Sequence, residues 1–270
     1  MKNTHARDNY SRHLVWYKQS QYDYKAALIS IDNGFNEWAS FQAVQSVEKA
    51  LKAVIVYAGV NPPRIHKLQT LIGISNRVCS EFKNTKFEFR YLESFTFISR
   101  YPFLLPGKYE TPHELITKRE AQRALDQAKN ILSKISVILQ NPAMDEKPVV
   151  AYDEVFTQEE IKKRTKDVVS MLVEAFQPEK IILFGRFARE QKVSKLSTMD
   201  ILIIANTNLS FIDRIHEARN ATKSGHPIVE TLVYTPSEFE LMTKEVGEGF
   251  LEDALTEGKV LYERKKVSQR

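Results

Sequence analysis

Hydrophobic residues in the first half of the chain recur every three or four positions, the spacing of helices that bury one face. The pattern predicts four helices, at about 15–31, 35–57, 65–82 and 114–139. An aromatic, proline-bearing connection at 95–112 separates the last two helices, and the other connections are short. Helices joined in this way are typical of an up-and-down bundle. Glu48, Lys49 and Lys52 are expected on the solvated side of the second helix.

The pattern changes after the proline-bearing segment 141–148, which is typical of a linker. Thr157 and Glu160 form a capping-box signature, and helical periodicity follows them. Continuous apolar runs then predict strands, separated by further helices. The strands are predicted at 181–184, 201–204, 228–234 and 259–262, and the later helices at 211–221, from 236 onward, and at 249–257. We therefore predict an α+β protein with a helical bundle at 1–140, a linker at 141–156 and a small α/β domain at 157–270.

Composition sets limits on the class of protein. A length of 270 residues suits two domains, and 43% hydrophobic with 27% charged residues is typical of a globular chain. No apolar run approaches the roughly 18–20 residues of a membrane-spanning helix, and the polar amino terminus lacks the apolar stretch of a secretory signal. The single cysteine, Cys79, excludes an intrachain disulfide and favours a reducing, cytoplasmic setting.

Charge is distributed unevenly along the chain. The net charge of +5 divides into +7 for residues 1–150 and −2 for residues 151–270. This asymmetry suggests two units with different partners. The excess is too small to identify a nucleic-acid-binding protein, and a solvated lysine-rich surface explains it equally well. RNA is therefore only a weakly supported partner.

The segment IILFGRFAREQKVSKLSTMDILII, residues 181–204, carries the most specific pattern. One predicted strand ends at Gly185, a turn and short helix follow, and a second strand begins beside Asp200. This arrangement resembles the minimal, polymerase-beta-like nucleotidyltransferase fold, which implies a mixed sheet. Active members have a Gly-Ser pair after the first strand, two aspartates separated by one residue, and a third carboxylate on a later strand. Alternate residues of a strand face the same way, so such aspartates can hold metal ions together.

This chain keeps only part of that motif. Gly185 matches, whereas Arg186 replaces the serine and Thr198 replaces the first aspartate. Asp200 and Glu230 match the remaining carboxylates, so the resemblance implies that they are the catalytic residues and Mg²⁺ ligands. It also implies that Gly185, Arg186 and Thr198 contact a nucleoside triphosphate. Arg186 either binds phosphate or fills a defunct site with a salt bridge. Alternatively, Asp200 only marks the entry to a strand and Glu230 lies on an exposed face.

The first half resembles the HEPN domain, named for its occurrence in higher eukaryotes and prokaryotes. The likeness covers about residues 15–140 and rests on the helix 43–53, Gly59, the segment 62–68, residues 100–102, and residues 116–117 with the alanine-rich helix after them. It implies fusion or association with nucleotidyltransferases and pairing through helices, so the apolar segment 95–105 is a candidate homodimer interface. Some HEPN families cut RNA with a closely spaced arginine and histidine. Here Arg100 and His113 lie too far apart.

Three functions remain open. The first is a HEPN–nucleotidyltransferase fusion that binds a Mg²⁺–nucleoside triphosphate, with nucleotidyl transfer weakened or lost. The second is an active nucleotidyltransferase that uses Asp200 and Glu230. The third is an RNA-binding or ribonuclease HEPN module. Because Thr198 is a poor Mg²⁺ ligand compared with a carboxylate, the first function is preferred, and the sequence leaves turnover open.

Overall fold

The computed structural model describes residues 4–83, 87, 89–140, 154–189, 192–223, 225–245 and 254–264. Contacts within the chain divide it into two compact units. The first comprises Met1–Pro102 and Thr111–Ala151, and the second comprises Phe103–Glu110 and Tyr152–Arg270. In the described part of the chain, no helix combines the length and the apolar character needed to cross a membrane.

The first unit is helical, as predicted. Its helices are α1 (Thr4–Asp32), α2 (Asn36–Tyr57), α3 (Leu68–Val78), α4 (Ser80–Lys83), α5 (Arg90–Ile98), α6 (Pro112–Leu115) and α7 (Lys118–Leu139). The predicted third helix is in fact two, because Cys79 adopts an extended conformation between α3 and α4. The predicted connection at 95–112 includes the end of α5 and the start of α6. Phe95 in α5 is fully buried, so this residue belongs to the core and not to an exposed surface.

Helix α2 is the central helix of this unit and is buried on nearly all sides. Helices α1, α3, α5 and α7 all pack against it. The expectation that Glu48 and Lys52 are solvated is therefore wrong: both are buried, and Lys52 Nζ lies 2.8 Å from Glu48 Oε1. Lys49 is partly buried and pairs with Asp23 of α1. Charge pairing explains how these side chains occupy interior positions that periodicity assigns to solvent.

The second unit combines helices with a four-stranded mixed sheet, which confirms the predicted α+β class. Its helices and strands are α8 (Gln158–Phe176), β1 (Lys180–Phe184), α9 (Arg186–Arg189), β2 (Thr198–Ile204), α10 (Phe211–Ala221), β3 (Ile228–Tyr234), α11 (Pro236–Glu245) and β4 (Lys259–Glu263). The strand order is β3-β2-β1-β4. Strand β1 pairs antiparallel with β2 and β4, whereas β2 and β3 are parallel and α10 connects them. A parallel pair needs such a crossover connection.

Helix α8 and one face of the sheet form the core of the second unit. Its buried residues include Leu172 of α8, Leu183 of β1, Ile201 of β2 and Val233 of β3. The capping box predicted for α8 is present: Glu160 N donates to Thr157 Oγ1, and Thr157 N donates to Glu160 Oε2. That backbone hydrogen bond from Thr157 holds the pKa of Glu160 below its usual value.

Strand β2 begins earlier than predicted, at Thr198 and not at residue 201. Its first residues alternate, with Met199 buried between the half-buried Thr198 and Asp200. A search for continuous apolar runs misses such a beginning, because alternation is the pattern of a strand with one polar face. The extension places both Thr198 and Asp200 within the strand.

The chain division proposed from sequence stays a prediction. Residues 141–153 of the predicted linker 141–156, and residues 249–253 of the predicted helix 249–257, lie outside the described residues. The segment Phe103–Glu110 belongs to the second unit by its contacts, although in sequence it comes between α5 and α6 of the first. Tyr234 Oη donates to Leu104 O at 2.9 Å within that unit, and burial raises the pKa of Tyr234. Helical periodicity carries no information about this contact.

Candidate functional site

Asp200 lies on β2, one of the two inner strands of the sheet. The register places it beside Phe184 of β1 and beside Glu230 of β3. Neighbouring strands are about 4.8 Å apart, so the two carboxylates project from adjacent positions on one face. Thr198 lies two residues earlier on that face, and its Oγ1 donates to Asp200 Oδ1 at 3.5 Å. The structure thus brings together three of the residues singled out from sequence.

Gly185 follows β1 and lies directly against Asp200. Its φ is +68°, a left-handed conformation that L side chains rarely adopt. A Cβ placed on Gly185 would lie 2.7 Å from Asp200 Oδ2, closer than real Cβ contacts come. Glycine is therefore required here for two independent reasons, backbone conformation and the approach of the Asp200 carboxylate.

This double requirement predicts the effect of a methyl group at position 185. We expect Gly185→Ala to lower the free energy of unfolding by about 1–3 kcal/mol, measured by urea denaturation. Gly34→Ala is the control, because Gly34 has φ +83° and a Cβ placed on it would meet no atom within 4 Å. The two variants share the conformational cost, and only Gly185→Ala displaces a carboxylate. Gly185→Ala should therefore cost more stability than Gly34→Ala, and adding Asp200→Ala should remove the difference. An equal cost for the two glycine variants would contradict the contact.

Glu230 is buried and forms an ion pair with Arg219 of α10. The two residues are 8% and 7% exposed, so both charges are largely removed from water. Arg219 Nη2 donates to Glu230 Oε2. The alternative that Glu230 lies on an exposed face is therefore wrong. Because a guanidinium already holds one of its oxygens, Glu230 is less available to a metal ion than a carboxylate without such a partner.

Arg219 is the residue of this site that sequence reasoning missed. A signal was present: Arg219 follows Ile212 and Ile215 at seven- and four-residue spacing, so it continues the buried stripe of α10. A charged residue on an apolar stripe of a helix needs a buried partner. The sequence does not say which carboxylate that partner is.

Arg186 and the possible metal ligands complete the site. Arg186 is exposed at the first position of the short helix α9, immediately after Gly185. Within the described ranges, no group of three or more His, Cys, Asp or Glu residues is arranged to hold a metal ion. Asp200, Glu230 and the Thr198 hydroxyl nevertheless offer adjacent oxygen donors, the type of ligand that Mg²⁺ prefers. In kind, these donors are ones that could hold Mg²⁺.

The arginine and histidine considered for RNA cleavage have separate partners in the helical unit. Arg100 donates from Nε and Nη2 to Thr96 O, and its guanidinium lies 4.4 Å from the centroid of the Phe41 ring. His113 Nδ1 lies 2.9 Å from Oε2 of the largely buried Glu37. These contacts give both residues a structural role in the helical unit.

Comparisons with known proteins show what the helical part of the chain is similar to. Residues 13–138 match the family model of the HEPN domain. Among solved structures, TT1696 from Thermus thermophilus is 25% identical, with a TM-score of 0.39 over 47% of this chain and 98% of that one. ST0689, described as an archaeal HEPN homologue, is also 25% identical, with a TM-score of 0.35 over 47% of this chain and 97% of that one. A comparison of the chain with curated proteins finds no match.

Proposed function

We propose, on the premise that residues 13–138 form a HEPN domain, that the second unit is nucleotidyltransferase-like and binds a Mg²⁺–nucleoside triphosphate with transfer weakened or lost. The observation that carries this proposal is the contact between Gly185 and Asp200. A glycine turn after one strand, packed against an aspartate of the antiparallel neighbour, is what phosphate binding beside a metal ligand requires. The match to the HEPN domain supports the proposal, because resemblance to that domain implies fusion or association with a nucleotidyltransferase.

Each residue of the site has a role in this proposal. The turn at Gly185 lets backbone N–H groups approach phosphate oxygens, and the exposed Arg186 adds a charged donor with two parallel N–H groups. Asp200 is the principal Mg²⁺ ligand, with Glu230 and the Thr198 hydroxyl beside it. When bound, Mg²⁺ neutralises phosphate charge and stabilises displacement at phosphorus.

Three features argue that transfer is weak. Thr198 supplies a neutral hydroxyl where an active site would have a second carboxylate on β2. Arg219 compensates the charge of Glu230, so the pair contributes little net negative charge to attract a second cation. Arg186 adds a cation where active nucleotidyltransferases have serine. Loss of one well-placed electrostatic element commonly lowers a rate by about 10²–10³-fold. An active enzyme that uses Asp200 and Glu230 is the alternative.

Calorimetric titration of the full chain with each Mg²⁺–nucleoside triphosphate tests the proposal. We expect binding that weakens by about 10-fold or more in Asp200→Asn and when Mg²⁺ is removed with EDTA, because the principal metal ligand or the metal is then lost. Asp167→Asn is the matched control, since Asp167 is an exposed aspartate on α8 and has no place in the site. Unchanged affinity in Asp200→Asn would refute the site assignment.

A further inference from the structure

A groove of about 730 Å³ lies in the second unit, lined by residues of α8, α9, β1 and β4. Four cationic side chains line it: Lys162 and Lys166 of α8, Arg189 of α9 and Lys259 of β4. Its described lining contains no aspartate or glutamate. Residues 151–270 have a net charge of −2, so this grouping of cations is a local feature that net charge does not reveal.

The groove lies on the opposite face of the sheet from Asp200. Leu183 lines the groove. It also belongs to the buried core that includes Leu172 of α8, and so do Met199 and Ile201 of β2. Asp200 lies between these two residues along β2, so strand alternation directs its side chain to the other face. Lys259 pairs with Leu183 in the register and therefore lies on the α8 face. The groove is thus separate from the candidate nucleotide site.

The three lysines of the groove are available to a ligand. Lys162, Lys166 and Lys259 are exposed, and none forms an ion pair with another described residue. Arg189 Nη1 lies 2.6 Å from Oε2 of the exposed Glu257, so the charge of Arg189 is partly compensated. Lys162 and Lys166 are one helical turn apart, about 6 Å along α8.

We propose that this groove binds the phosphodiester backbone of a single-stranded nucleic acid without reading its bases. The cations line both the helical wall and the β4 wall, an arrangement suited to a chain of phosphates more than to a single anion. Phe187 is the one aromatic residue in the described lining, and at 5% exposure it is too buried to stack with a base. Affinity then comes from phosphate neutralisation, so binding is independent of base sequence and falls steeply with salt.

Fluorescence anisotropy of the full chain with labelled oligouridylate and oligothymidylate tests this proposal in EDTA. The strands are about 16 nucleotides long, because sites that bind single strands span up to about 16 nucleotides. We expect Lys162→Gln, Lys166→Gln and Lys259→Gln together to weaken binding at least about 10-fold at low salt. The triple variant should also make the dependence of the binding constant on salt less steep. The slope of log K against log salt should fall in magnitude by about 2, or about 0.7 for each lost phosphate contact.

Lys163→Gln, Lys192→Gln and Lys223→Gln together are the matched control. These lysines are exposed in the same unit and do not line the groove. The control variant should retain both affinity and salt slope. No binding by the wild type, an equal loss in the control, or displacement of the strand by polyglutamate as effectively as by unlabelled strand would overturn the proposal.

The groove proposal goes beyond the nucleotide site and fails independently of it. The triple groove variant should still bind Mg²⁺–nucleoside triphosphate, and Asp200→Asn should still bind the oligonucleotide. If the groove variant instead loses mononucleotide binding while the wild type ignores single strands, the groove is a small-ligand site and the proposal is wrong.

Discussion

Thr198→Asp combined with Arg186→Ser is expected to raise nucleotidyl transfer by about 10²–10³-fold. The new carboxylate would project from the same face of β2 as Asp200, two residues away, because both positions belong to one regular strand. Paired carboxylates at this spacing suit two-metal stabilisation of the attacking and leaving oxygens. Arg186→Ser replaces an exposed cation of the proposed site with the serine that active nucleotidyltransferases have there. Pyrophosphate release from each nucleoside triphosphate measures the gain, whatever the acceptor is.

Two controls make this gain specific to the site. Adding Asp200→Asn to the double variant should return pyrophosphate release to background. Thr207→Asp adds the same charge in the loop that follows the carboxyl end of β2, and it should not raise pyrophosphate release. Brisk transfer by the wild-type chain that survives Asp200→Asn would show that both the site assignment and its degeneracy are wrong.

Arg219→Met is expected to lower the free energy of unfolding by about 3–5 kcal/mol. The substitution keeps an unbranched side chain at a 7% exposed position but leaves the buried Glu230 carboxylate without the guanidinium. An uncompensated buried charge is costly, whereas loss of the whole pair is much less so. Arg219→Met combined with Glu230→Leu should therefore recover most of the lost stability in urea denaturation.

An exposed ion pair of the same sheet gives the comparison. Lys180 of β1 and Glu263 of β4 have side chains that are 32% and 61% exposed. Lys180→Met should cost no more than about 1 kcal/mol, because water already solvates both charges. If Arg219→Met costs as little, or if the double variant is as unstable as the single one, the pair does not compensate buried charge.

The hydrophobic pattern determined much of the architecture. Helical spacing predicted the helical character of the first unit, and the apolar runs at 181–184 and 228–234 correspond closely to β1 and β3. Both patterns report burial of one face or of a whole strand, which is a local property of the sequence. The Thr157–Glu160 capping box was also readable, because all its hydrogen bonds join residues three apart. Thr198 and Asp200 share a strand face because β2 extends to them, three residues before the apolar run that predicted the strand.

The tertiary structure alone decided which charges are buried and what they meet. Periodicity assigns Glu48 and Lys52 to solvent, yet α2 is surrounded by other helices and pairs them inside the core. The partner of Glu230 is Arg219, eleven residues earlier on α10, and it meets Glu230 only because α10 crosses back to place β3 beside β2. The cationic groove likewise needs β4 beside β1, which brings Lys259 to the face where α8 carries Lys162. The amino-acid order fixes local periodicity, whereas pairing between distant charges depends on how the elements pack, and no local pattern encodes that.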